Sequence, residues 1–315
     1  MSNRLTYTLA LLLLLLLTLT LAKLLETKVK TITDNSVPSI ELIEKPKILK
    51  NIHITGTVFI DNYFNYMDSL VIANDSLTSY PLSEHLLVRA NPWIIETLAN
   101  TDYYRMMQKD SFVYDQKKMI VLKPSDSLMV PDSLQAKSIM NSFLETEIDV
   151  NLPEFKLRIY QDSSESFVFP IRIGQNKKKY LKMAGRIIDL RTKQGSGMIV
   201  SHRKDPKFYN PVDGKQFYLT KRDDGKTTLM PKIPWIVTEI NGVRNGQLIH
   251  PTTNPKTLGK AYSNGCIALN EADSWIVYYY APIGTKINIR YNLKTKGTLG
   301  EELLLNDVYG FMNTR

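Results

Sequence analysis

The scarcest residue in this 315-residue chain is cysteine, present once as Cys266. A single thiol excludes an intramolecular disulfide framework and any multi-thiolate zinc site. Histidine is nearly as rare, with four scattered copies and no HExxH pair. The sequence therefore offers a metal centre no ligand set, and we expect neither metal nor cofactor. No internal repeat is visible. What is present is ample apolar material: 43% hydrophobic residues, with 17 Tyr and 10 Phe. That is enough to build cores, so wholesale disorder is excluded. At ~150 residues per domain the length suggests two domains, or one large domain with an appendage.

The first 25 residues form a separate object. Leu5 to Ala22 carries no charge, contains seven consecutive leucines (Leu11 to Leu17), and lies between Arg4 and Lys23. With no polar face it does not read as an ordinary core helix. It sits at the lower length limit for spanning a bilayer, and Leu9 to Ala22 also suits the apolar region of a signal peptide. Residues 1–25 thus read as a signal anchor or a signal peptide, with Thr20-Leu21-Ala22 as a cleavage option. No cysteine follows, which rules out lipoprotein processing. Lys23, Lys28 and Lys30 lie on the far side of the segment, so charge counting leaves its orientation open. The chain reads as exported, either anchored in a membrane through residues 5–22 or cleaved there, with its thiol in an oxidising compartment. Residues 26–50 mix Lys, Glu, Thr and Pro without periodicity and read as a stalk.

Residues 51–146 read as a small α+β accessory domain. His85 to Ala99 looks like two helical pieces broken at Asn91-Pro92, because the residue before proline is pushed out of the α region. Phe112 to Tyr114 and Met119 to Leu122 flank Asp115-Gln116-Lys117-Lys118 and predict a hairpin. Ser138 to Ile148 predicts an amphipathic connecting helix.

From residue 147 to 292 the pattern changes to period-2 alternation. Leu157 and Ile159 alternate with Lys156, Arg158 and Tyr160 in a strand expected over 150–160. Similar runs recur at 167–173, 198–201, 216–219, 235–238, 247–250 and 286–291, with one helix fitting between Asn270 and Tyr280. This predicts a mainly β sandwich or barrel-like domain with one or two short helices. Residues 293–315 read as a C-terminal tail. Between Asn151 and Trp235 stand 18 Lys+Arg against 8 Asp+Glu, so the net charge of +9 is concentrated there. Such a face reads either as a solvated surface with no specific partner or, in an exported protein, as one that suits a cell-wall polymer or anionic lipid; nucleic acid is not expected as a partner.

The chemistry concentrates between His250 and Ile267. Cys266 follows a tight Ser263-Asn264-Gly265 turn. Glycine there lets backbone approach a substrate and can leave neighbouring N–H groups free for an oxyanion. His250 ends a predicted strand sixteen residues earlier, and a loop of that length can bring imidazole to sulfur. A helix beginning beyond the turn would lower the thiol pKa if Cys266 sat near its N-terminus. A thiol with a free pKa of ~8.5 is only a few per cent thiolate at neutral pH, so a nucleophile needs such help. An isolated cysteine is otherwise a small buried hydrophobe.

His250 followed by Ser263-Asn264-Gly265-Cys266-Ile267-Ala268 resembles the signature of the L,D-transpeptidase catalytic domain (YkuD-type): a histidine, a spacer, then Ser/Thr-His-Gly-Cys-hydrophobic-Arg/Asn. Val150 to Leu157 looks like that family's opening strand, and Ala281 to Ile289 its closing one. The resemblance implies a mostly β domain with a cysteine nucleophile acting on peptidoglycan stem tetrapeptides. It further implies release of the terminal D-alanine and acyl transfer to an amine, making 3–3 cross-links or attaching an envelope protein, in a bacterial periplasm. By position, Cys266 would attack, His250 would serve as base and acid, and the Pro251 carbonyl would orient the imidazole. The N–H groups of Gly265 and Cys266 would form the oxyanion hole, on the turn begun by Ser263 and Asn264. Two positions depart from the pattern. Asn264 stands where the family usually has His, and Ala268 where it usually has Arg or Asn. Asparagine retains a donor, whereas losing arginine removes a fixed cation. Arg203 or Lys204, in a basic span that also holds His202, are candidates to replace it, and this long span is a candidate loop over the cleft. These departures keep two alternatives open: a catalytically silent or altered peptidoglycan-binding protein on the same fold, and a related hydrolase. Separately, Pro124 to Pro131 resembles the closing edge of a glycan-binding LysM repeat.

Overall fold

The computed structural model describes residues 51–297 and 300–312. The apolar segment 5–22 and the stalk at 26–50 lie outside the described residues. Among the described residues no helix is long and apolar enough to cross a membrane.

The first part of the chain runs β1 (Asn51–His53), β2 (Val58–Phe59), α1 (Tyr63–Asn74), α2 (Glu84–Ala90), α3 (Trp93–Ala99), α4 (Tyr103–Met107), β3 (Ile120–Leu122), β4 (Ser127–Met129) and α5 (Ser133–Glu145). The α2–α3 break falls at Asn91-Pro92, with Asn91 at φ −127° and ψ 66°, outside the helical region as a pre-proline residue should be. Asn91 then secures the helix end. Its Nδ2 donates to the Leu87 and Met129 carbonyls at 2.8 Å each, and its Oδ1 accepts the Met129 N–H at 2.9 Å.

Two expectations fail here for local reasons. The hairpin between 112–114 and 119–122 does not form: β3 pairs with β2, β4 pairs with β1, and the Tyr114 carbonyl instead accepts the Leu229 N–H. Asp115 diverts the chain by capping a short 3-10 turn, accepting the Lys117 N–H at 3.1 Å. The connecting helix begins at Ser133, earlier than expected, because Asp132 and Gln135 form a reciprocal capping box. It ends at Glu145, leaving Ile148 to a strand.

The second part forms an eight-stranded sheet. Its members are β5 (Glu147–Asn151), β6 (Lys156–Gln161), β7 (Ser164–Pro170), β11 (Gly195–Arg203), β14 (Trp235–Ile240), β15 (Leu248–Pro251), β17 (Ile267–Leu269) and β18 (Lys286–Arg290). They lie in the order β17-β15-β14-β11-β18-β5-β6-β7. The β15–β17 and β18–β5 pairs are parallel and the others antiparallel. The single strand expected over 150–160 is in fact the β5–β6 hairpin, turning through residues 152–155. Just past β7, Arg172 N–H and C=O bond Ala268 of the opposite edge strand at 2.9 Å each. That bridge joins the two edges, giving a near-barrel in a mainly β chain with few helices.

Short pairs decorate this sheet: β8 (Ile173–Gly174) with β16 (Ala261–Ser263), β9 (Lys178–Leu181) with β10 (Arg186–Asp189), β12 (Leu219–Lys221) with β13 (Thr227–Leu229), and β19 (Lys294–Lys296) with β20 (Glu302–Leu304). Residues 293–312, expected as a tail, contribute Tyr309 to the sheet's core at 3% exposure. One helix, α6 (Glu271–Tyr280), lies between two cores. Val277 joins the sheet's core with Ile249, Ile267 and Ile287, whereas Trp275, Tyr278 and Tyr279 join Tyr63, Met67, Leu87 and Ile94. A helix apolar on both sides must be covered on both. The accessory residues supply the second cover, so the two regions share a core, and the described residues cluster as one unit.

Candidate active site

Alternation along the closing edge selects which residues face the site. Ile171, Ile173, Ile249, Ile267 and Leu269 are buried in the sheet's core. Side chains alternate along a strand, so Arg172, His250, Ala268 and, continuing the β17 run backwards, Cys266 take the other face. The register aligns three of them: His250 pairs with Ala268 on one side, and Arg172 with Ala268 on the other. The fold thus brings His250 on β15 and Cys266, the residue just before β17, to one face.

His250 is held in one orientation. Its Nδ1 lies 2.8 Å from the Pro251 carbonyl oxygen, and a carbonyl only accepts. Nδ1 therefore carries the proton, and Nε2 keeps a lone pair. The Trp235 ring stands 5.3 Å from the imidazole, tilted 41°. Burial, together with the nearby Arg172 guanidinium, lowers the His250 pKa to about 4. Burial pushes the Cys266 thiol up from its ordinary value, opposed by the Leu248 backbone N–H and by Arg172 and Arg203. Both shifts favour a thiol beside a neutral imidazole over a thiolate–imidazolium pair.

The helix does not assist the thiol. β17 and Asn270 separate Cys266 from α6, whose first turn is occupied by Asp102 accepting the Ala272 N–H at 3.0 Å. The turn before the thiol is set by Gly265 at φ +113°, a conformation costly for a side-chain-bearing residue. Ser263 staples it. Its Oγ accepts the Gly265 N–H at 3.2 Å and donates to the Cys266 carbonyl at 2.6 Å. The Gly265 N–H, expected free for an oxyanion, is thus engaged by Ser263. Asn264 is exposed. Behind the turn, the Gly265 carbonyl accepts from Thr192 Oγ1 at 3.1 Å.

Of the cations expected to replace the motif's arginine, Lys204 is committed elsewhere, to Glu84 at 2.7 Å and Asp68 at 2.8 Å. Arg203 is exposed and acts on the thiol through its charge. His202 is not in the site: it stacks on His85 at 5.3 Å and packs against Tyr278, in the shared core. Sequence reading missed Arg172. Its only sequence signal was a cation between two buried isoleucines, and the sheet closure that delivers it involves residues almost a hundred positions apart.

The long basic span supplies the β12–β13 hairpin, which reaches the loop after His250. Thr220 Oγ1 bonds Thr253 Oγ1 at 2.7 Å, Asn254 Nδ2 donates to the Lys221 carbonyl at 3.0 Å, and the Lys256 N–H bonds Asp223 at 2.8 Å. A cavity of about 270 Å³ lies to one side, lined by Asp61, Phe208, Phe217, Tyr218, Met230 and Lys232 among others. Phe208 and Trp235, ring centroids 5.3 Å apart, stand between it and His250.

Residues 145–289 match the family model described as the L,D-transpeptidase catalytic domain, YkuD. The probable L,D-transpeptidase ErfK/SrfK of Escherichia coli (strain K12) is 27% identical over 170 residues, which are 53% of this chain and 50% of that protein. The chain thus spans about half the length of the curated relative it matches. An L,D-transpeptidase from Mycobacterium smegmatis aligns over 46% of this chain and 58% of its own, at 13% identity and TM-score 0.32. One from Xylanimonas cellulosilytica aligns over 77% and 98%, at 12% identity and TM-score 0.34.

Proposed function

We propose that this chain, whose residues 145–289 carry the L,D-transpeptidase catalytic domain, is a cysteine acyltransferase of peptidoglycan in a bacterial cell envelope. The observation that carries the reading is the pairing of β15 with β17, which puts a tautomerically fixed His250 on the same face as Cys266. In this reading His250 Nε2 takes the Cys266 proton as sulfur attacks the donor carbonyl. The C–N bond then breaks, the imidazolium protonates the departing D-alanine amine, and a thioester remains. An acceptor amine attacks it, His250 takes that proton, and the thiol is regenerated. Donors are stem tetrapeptides; the acceptor is a second stem, giving a 3–3 cross-link, or an envelope protein. The oxyanion is received by the Cys266 and Gly265 N–H groups once Ser263 releases the latter. Residues 5–22 hold the protein at the inner membrane in this reading, with 51–146 as its accessory part.

Intact-protein mass spectrometry of the full-length protein with a carbapenem, beside Cys266→Ala, tests this. An adduct on the parent alone is expected. No adduct, with the thiol still open to small alkylating agents, would overturn the reading in favour of a polymer-binding protein without turnover. The engaged Gly265 N–H is what favours that second reading. A rate that does not rise with added amine acceptor would instead indicate a hydrolase.

A further inference from the structure

Arg172 is anomalous for a partly buried cation. Its Nη1 donates to Thr257 Oγ1 at 3.0 Å, its Nε is buried without a partner, and among the described residues it has no carboxylate within ion-pair distance. Charge in such a place is costly unless an anion meets it. The register shows what stands before it. Arg172, Ala268 and His250 form one row across three neighbouring segments spaced ~4.8 Å apart, and Cys266 is one side-chain repeat along from Ala268 on that face. Ala268 projects only a methyl group between them, so the guanidinium can extend over it toward sulfur and imidazole.

We propose that Arg172 is the positioning cation of the nucleophile: its guanidinium, rather than a protonated His250, holds negative charge on Cys266 sulfur. The proposal rests on Cys266 being the nucleophile. It assigns the two charges of the step to different partners. The thiol proton passes to neutral His250 Nε2, and the electron pair left on sulfur faces Arg172 until it enters the new S–C bond. The same guanidinium opposes standing protonation of His250, keeping the base available. Arg203 from β11, Tyr262 from β16 and His250 from β15 are the other charged or titratable groups close enough to act electrostatically on this sulfur or on Arg172. Of these Arg203 is the one other fixed cation, and water screens it.

The test is the pH dependence of Cys266 alkylation by iodoacetamide, read by intact mass, in the full-length protein. Arg172→Gln keeps a donor for Thr257 but removes the charge. It is expected to raise the alkylation midpoint by about one pH unit, roughly tenfold slower alkylation at fixed pH below the midpoint. Arg172→Lys should retain most of the parent behaviour, and His250→Gln should leave the midpoint nearly in place. An unmoved midpoint in Arg172→Gln, a lysine variant no better than glutamine, or a one-unit rise in His250→Gln would overturn the proposal. If the arginine variants do not fold, imidazole NMR of the parent decides: His250 protonated where the thiolate appears would overturn it, and His250 neutral there would support it. Alkylation needs no acyl transfer, so a failed carbapenem reaction with the expected midpoint shifts would sink the transferase reading alone.

Discussion

Arg222 Nη1 meets Glu271 Oε1 at 2.5 Å, and both side chains are sealed from solvent at 0% and 1% exposure. Arg222 sits at the end of β12 and Glu271 opens α6, so this pair fastens the inserted hairpin to the helix between the two cores. Around it Gln116 accepts from Arg222 Nη2 at 2.9 Å and donates to Glu271 Oε2 at 2.7 Å, and the Tyr103 N–H reaches the same oxygen at 3.0 Å. The accessory region, the inserted hairpin and α6 therefore meet in one buried network.

Breaking that pair from one side should be severe. Arg222→Met leaves a buried carboxylate without its cation, at a cost of about 3–5 kcal/mol. At ~2–4 °C per kcal/mol the midpoint of thermal unfolding should fall by about 6–20 °C. Arg222→Met with Glu271→Gln should recover part of it, because the stranded charge is gone; a double variant no more stable than the single would refute the charge argument.

Acid should destabilise the fold through three half-buried histidines. Burial lowers His85 to about 3, with the His202 charge as a further cause, and lowers His202 and His250 to about 4, from an ordinary value near 6.5. The unfolded chain takes up protons that the folded one refuses, so stability is full above pH 6.5 and is lost as pH falls toward 4. By pH 5 each histidine should cost about 2 kcal/mol. Burial raises the Glu84 and Glu271 carboxyls, and these act in the opposite sense as they protonate. Calorimetry at pH 7 and pH 5 should show a lower unfolding temperature at pH 5. His202→Leu, which removes a buried nitrogen lacking a partner, should narrow the gap.

Gly265→Ala should damage the site more than Asn264→Ala. A Cβ at φ +113° strains the turn by about 1–2 kcal/mol, and relaxing it displaces the Cys266 backbone. Acylation by a carbapenem should slow at least tenfold in the first variant. Asn264 is exposed, so its replacement should leave the unfolding temperature unchanged. Equal acylation rates in both variants would contradict the assignment.

Tyr309→Phe probes the C-terminal segment. The hydroxyl donates to the Gly174 carbonyl at 2.8 Å and accepts the Thr192 N–H at 3.1 Å, and Thr192 in turn bonds Gly265. Two buried backbone groups lose their partner, at a cost of about 1–3 kcal/mol. Thermal unfolding should drop accordingly and acylation should slow; a variant with parental stability would show that the hydroxyl does not support this region.

Local chemistry was legible in the sequence wherever it depended on neighbouring residues. Period-2 alternation marked β6, β14 and β18, Pro92 broke the helical run at Asn91, and Asn270 to Tyr280 contained α6. His250, Cys266 and the Pro251 carbonyl were named from a linear motif, because a histidine ending one strand and a thiol beginning another have a fixed order along the chain. The tertiary structure decided everything set by non-local pairing. β3 left its expected hairpin partner for β2, since a local turn propensity is weak against burial in a shared core. The sign of the thiol's pKa shift depended on how deeply the turn was buried and on a strand inserted before the helix. Arg172 became part of the site only when the sheet closed on itself. Its partner Ala268 is far away in sequence, and no periodicity within a single strand encodes which strand will lie beside it.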